Sequence, residues 1–85
     1  MGKKASLEIL KSVLKKERLR LTDHRIAIWN QVQNSKKHMD VEEIFSLLKT
    51  KKKNVSRATI YRTLDVLVKN RLIRKMDVGD GYSLY

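Results

Sequence analysis

Hydrophobic positions recur in this chain with helical spacing up to residue 70 and in short runs around a glycine pair after it. Leu7, Leu10 and Leu14, flanked by Ile9 and Val13, predict a helix over Ala5–Lys16. The stretch Glu17-Arg18-Leu19-Arg20-Leu21 interrupts the pattern, and Thr22 offers a side-chain oxygen to cap a second helix. That helix is expected to reach about Gln33 and to bury Ile26, Trp29 and Val32. Asn34-Ser35-Lys36-Lys37 reads as a loop. Asp40 with Glu43 three residues on resembles a capping box, its carboxylates suiting the positive end of a helix. Val41, Ile44, Phe45 and Leu48 then fall at i, i+3, i+4 and i+7, the cleanest amphipathic helix in the chain. The polar run Thr50-Lys51-Lys52-Lys53-Asn54 cannot continue that stripe.

Ser56 is the next cap, and Ile60, Leu64, Leu67 and Val68 define the buried face of a fourth helix ending near Asn70. Leu72–Val78 and Tyr82–Tyr85 then read as two short strands around Gly79-Asp80-Gly81. Apart from Gly2, the glycines sit in that turn, where positive φ is most needed. The expected fold class is therefore mainly α with a C-terminal β-hairpin. Its order, α1-α2-α3-α4-β1-β2, is that of a winged helix-turn-helix.

Composition narrows the function. At 85 residues and 41% hydrophobic, residues 1–85 suffice for a single domain with one small core. No apolar run reaches the roughly eighteen residues a membrane span needs, and no charged-then-apolar leader opens the chain. Cysteine is absent, which excludes disulfides, thiolate metal sites and cysteine catalysis within these residues. These features fit a cytoplasmic protein that does not bind membranes. Twenty Lys and Arg against nine Asp and Glu leave a net charge of +11. Such an excess attracts polyanions without regard to sequence, because each neutralised phosphate releases condensed counterions. Charge alone does not separate DNA from RNA.

The fourth helix points toward duplex DNA. Ala58, Thr59, Arg62 and Lys69 lie away from its apolar stripe, Tyr61 sits at the border, and Arg57 in the first turn can project past the helix end. A recognition helix needs a core stripe behind and small or polar residues in front, so that its backbone can approach the groove floor. Ala58 leaves room, Arg62 can take a guanine through N7 and O6, Thr59 can bond a base or phosphate, and Tyr61 can pack on a thymine methyl. An ordinary solvated face with a half-buried tyrosine has the same pattern. The basic pair Arg74-Lys75 in the expected wing favours the reader.

Leu19-Arg20-Leu21-Thr22-Asp23-His24-Arg25-Ile26-Ala27-Ile28 resembles the LRxTxxRxxIL opening of ferric uptake regulator (Fur) family proteins. Val55-Ser56-Arg57-Ala58-Thr59-Ile60-Tyr61-Arg62-Thr63-Leu64 is similar to the family's VSxATVYRTL recognition helix, and Leu72-Ile73-Arg74-Lys75 with Gly79-Asp80-Gly81 resembles its wing. The family usually has proline at the position of Asp23 and often glycine at that of Arg18. The resemblance implies a metal- or peroxide-responsive bacterial repressor that binds operator DNA as a dimer, with residues 56–70 in the major groove. It further implies that Tyr61 and Arg62 face that groove, that Arg20 enters the minor groove, and that Arg25 faces phosphate.

The resemblance implies that His38 supplies one ligand to a regulatory iron, zinc or manganese ion in a full-length protein. The other ligands, and dimerisation, belong to a C-terminal domain that these residues are expected to lack. No cofactor is therefore expected here, since one histidine cannot make a metal site, and His24 and Asp40 show no ligand spacing. The 85 residues are expected to be monomeric, and a full-length protein homodimeric. Met1-Gly2-Lys3-Lys4-Ala5-Ser6 formally matches a loose acylation start. No nucleophile, base and orienter combine into a triad and no glycine-rich phosphate loop is present, so an enzyme is not expected. The alternative is a basic RNA- or ribosome-associated module, which would usually expose aromatic side chains for base stacking.

Overall fold

The computed structural model describes residues 3–85, with side chains from Ser6 onward. Met1 and Gly2, which begin the acylation-like motif, lie outside the described residues. The order is α1 Lys3–Lys16, α2 Asp23–Asn34, α3 Val41–Thr50, α4 Arg57–Lys69, β1 Met76–Asp77 and β2 Ser83–Leu84. This is the expected four-helix and hairpin arrangement of a winged helix-turn-helix.

Local chemistry sets the helix starts. The Thr22 hydroxyl accepts from the Arg25 amide at 3.2 Å, and Ser56 accepts from the Thr59 amide at 3.1 Å. Both halves of the Asp40/Glu43 capping box form: Asp40 accepts from the Glu43 amide at 2.8 Å, and Glu43 accepts from the Asp40 amide at 3.4 Å. The helix ends follow another rule. Three helices close in Schellman motifs, in which the chain turns back through one left-handed residue. Leu19, Lys53 and Leu72 donate to Leu14, Leu48 and Leu67 at 2.8, 2.9 and 2.9 Å. The left-handed residues are Arg18, Lys52 and Arg71, with φ of 58°, 60° and 60°, and none is glycine.

α2, α3 and α4 pack on one another, and α1 covers α2. The core joins Leu10 and Leu14 of α1, Ile28 and Trp29 of α2, Val41, Ile44 and Leu48 of α3, and Ile60, Leu64 and Leu67 of α4. Met39 and Val55, from the segments before α3 and α4, are buried with them.

The α2 face differs from the expectation. Ile26 and Val32 are only partly buried, whereas Ile28 and Gln31 are buried. The buried arc is rotated toward a polar residue, Gln31, whose Oε1 accepts from Lys51 Nζ at 2.8 Å. Phe45 and Val68, expected on buried stripes, are partly exposed.

The strands are much shorter than Leu72–Val78 and Tyr82–Tyr85. Among the described residues, only Met76↔Leu84 and Asp77↔Ser83 pair as strands. Leu72 and Ile73 turn inward as the apolar continuation of the α4 cap and pack against the core. Tyr85 instead pairs with Met39, each amide donating to the other's carbonyl at 2.8 and 3.1 Å. The end of the wing is thereby tied to the residue preceding the α3 cap.

Candidate nucleic-acid interface

α4 stands on a stripe formed by Ile60, Leu64 and Leu67, each 0% exposed, joined by Thr63 at 1%. The opposite face presents Ala58, Tyr61, Arg62, Asp65 and Lys69 to solvent. Thr59 is partly exposed, and its hydroxyl oxygen accepts from Ser56 Oγ at 3.0 Å. Tyr61 is 50% exposed and shares a cleft of about 460 Å³ with Asp65, Lys75, Tyr82 and Tyr85, so helix and wing meet along one surface. Burial raises the Tyr85 hydroxyl above its ordinary range, with smaller contributions from Asp65 and Tyr61. Arg20, Arg62 and Lys75 form no ion pair among the described residues.

Arg20 and Arg25 form a separate unit before α2. Arg20 is exposed, and Arg25 Nη1 donates to the Arg20 carbonyl at 2.7 Å. The guanidinium expected to face phosphate thus braces the backbone that carries Arg20.

Arg57 is engaged differently from the expectation that it projects past the helix end. Its Nε and Nη2 donate to Glu42 Oε2 and Oε1 at 2.6 and 2.9 Å. Its guanidinium carbon lies 4.0 Å from the centre of the Phe45 ring, and Lys49 Nζ stands 5.8 Å from the same ring. Those hydrogen bonds hold the Glu42 carboxyl below its ordinary range and push Arg57 up. Nothing in the sequence signalled this pair, because its members are fifteen positions apart and meet only through the packing of α3 on α4.

His38 is exposed and lines a second cleft of about 340 Å³ with Lys36, Lys37 and Arg74. Among the described residues no three His, Cys, Asp or Glu side chains are grouped to hold a metal ion. Cations around His38 repel another cation. The residues present do not fit a complete metal site.

A family model described as "Ferric uptake regulator family" matches residues 16–85. The chain belongs to the ferric uptake regulator family. It is 31% identical over 80 residues to the "Ferric uptake regulation protein" of Bacillus subtilis (strain 168), covering 93% of this chain and 54% of that protein. It is 33% identical over 72 residues to the "Peroxide operon regulator" of the same organism, covering 85% of this chain and 50% of the relative. The solved ferric uptake regulator Fur of Helicobacter pylori, described as having three functional metal binding sites, superposes with a TM-score of 0.86 at 27% identity. That match covers 100% of this chain and 57% of the other. The chain spans about half the length of the curated relatives it matches. Proteins of the ferric uptake regulator family are transcriptional regulators, not enzymes. No helix among the described residues is long and apolar enough to cross a membrane.

Proposed function

We propose that residues 1–85 form the operator-reading domain of a metal- or peroxide-responsive transcriptional repressor acting in the cytoplasm, with α4 in the major groove. One observation carries this reading: an exposed Ala58, Tyr61 and Arg62 face stands on a fully buried stripe in a chain of net charge +11. In this reading Ala58 admits the backbone to the groove floor and Arg62 donates to guanine N7 and O6. Thr59 bonds a base or phosphate, Tyr61 packs on a thymine methyl, and Lys75 meets the backbone from the wing. Arg20 enters the minor groove, with Arg25 supporting it through the 2.7 Å bond to its carbonyl. These residues alone are a monomer, and a longer homodimeric protein would read two half-sites. His38 would be one donor to iron, zinc or manganese there, and further ligands must come from outside the described residues.

A salt titration tests the electrostatic part. If one domain neutralises about six phosphates, log K falls against log salt with a slope of about −5. A constant insensitive to salt refutes the reading. The second reading, an RNA-binding module, is favoured by Tyr61 and Tyr82, exposed at 50% and 51% along one cleft, where bases can stack. Competition between duplex DNA and structured RNA decides between them.

A further inference from the structure

We propose that Glu42 limits the sequence-independent DNA affinity of this domain by holding Arg57 off the phosphate backbone, an inference that rests on the DNA-binding reading above. Arg57 is the first residue of α4, at the end of the helix that attracts anions through its unsatisfied amides. A free guanidinium there would take any phosphate within reach. Instead both Glu42 carboxylate oxygens meet it, at 2.6 and 2.9 Å, in the forked geometry that a phosphate would otherwise adopt. The Phe45 ring 4.0 Å from the guanidinium carbon adds a third constraint.

The arrangement is open to competition, because the Arg57 and Glu42 side chains are 54% and 63% exposed. An exposed pair of this kind contributes little to folding, so its effect belongs to whatever else would bind the guanidinium. Glu42 also lies in the first turn of α3, where the helix dipole stabilises its charge. In this account Glu42 occupies Arg57 in place of DNA.

The test is a salt titration of random-sequence duplex binding by the chain and by Glu42→Gln, Arg57→Ala and the double variant. Freeing Arg57 adds one phosphate contact. Glu42→Gln should then steepen the log K against log salt slope by about 0.9, tightening binding roughly 5-fold at about 0.15 M salt and roughly 15-fold at about 0.05 M. Arg57→Ala should leave the slope of the unaltered chain unchanged, and the double variant should match Arg57→Ala. Glu42→Ala carries the same expectation as Glu42→Gln, so loss of fold in one leaves the other to decide, with folding read by circular dichroism. Two results overturn the inference alone: Arg57→Ala flattening the slope by about 0.9, or Glu42→Gln acting equally in both backgrounds. An unaltered chain without salt-dependent duplex binding overturns the DNA reading itself, and this inference with it.

Discussion

Replacing Arg71 by glycine and, separately, by alanine should separate the two variants in stability, with glycine ahead. Arg71 is the left-handed residue of the α4 Schellman motif, at φ 60°, and it is exposed. A left-handed backbone costs an L-residue with a Cβ roughly 1–2 kcal/mol, and glycine is spared that. Glycine in turn loses about 0.4–1 kcal/mol more on folding, because its unfolded chain is freer. The difference leaves Arg71→Gly ahead of Arg71→Ala by roughly 0.8 kcal/mol. For a domain of this size that is about 3–6 °C in melting temperature. Both variants lose the same charge at the same helix end, so the helix-dipole contribution of the cation cancels in the comparison. Thermal melts followed by circular dichroism, repeated at high salt, measure it. The same ordering is expected at Arg18 and Lys52, with φ of 58° and 60°. An alanine variant that melts at or above its glycine counterpart refutes the reasoning.

Arg62→Ala should weaken a preferred operator by roughly 1–3 kcal/mol and random DNA much less, whereas Lys53→Ala, beyond the end of α3, should weaken both alike. Equal losses for both variants on both DNAs contradict base reading by Arg62. Asn70 and then Lys69 hydrogen bonds hold the Glu17 carboxyl below its ordinary range, so its contribution is present above the unfolded value and lost as pH falls through the folded one. Glu17→Gln should flatten the acid side of the stability curve below about pH 4 without abolishing the fall, since Glu42 and Glu43 shift in the same direction; parallel curves would reject the assignment. Thr63 is 1% exposed and its hydroxyl has no hydrogen-bond partner among the described residues, so Thr63→Val should raise stability by about 1 kcal/mol, and an unchanged or lower melting temperature would count against it.

What was legible in the sequence was local. The Asp40/Glu43 box and the Ser56 cap each lie within four residues, and the stripes of α3 and α4 repeat at helical spacing, so their starts and faces follow from short-range chemistry. The exposed face of α4 was legible for the same reason, being the complement of its stripe. The α2 arc was not, because Gln31 sits in it and a polar residue there is satisfied only by Lys51 of another element. The true length of the wing also escaped, since Leu72 and Ile73 have the composition of a strand while their burial is decided by the α4 cap and the core. Met39 with Tyr85 and Glu42 with Arg57 are contacts between segments far apart in sequence, and no spacing rule signals them. Arg18, Lys52 and Arg71 carry no side-chain sign of a left-handed backbone.

The aromatic side chains divide the molecule into two optical regions. Trp29 is the chain's one tryptophan, 3% exposed, and its indole Nε1 donates to the Ser6 carbonyl of α1 at 3.0 Å, beside the Ser6–Gln33 hydrogen bond. All three tyrosines, Tyr61, Tyr82 and Tyr85, line the cleft between α4 and the wing. Emission from the indole therefore reports on the seam where α1 lies on α2, while the phenols report on the cleft between α4 and the wing. Detachment of α1 and rearrangement of the cleft therefore have separate spectroscopic signatures in the unlabelled chain, so the two ends of the fold can be followed in one cuvette without attaching a dye.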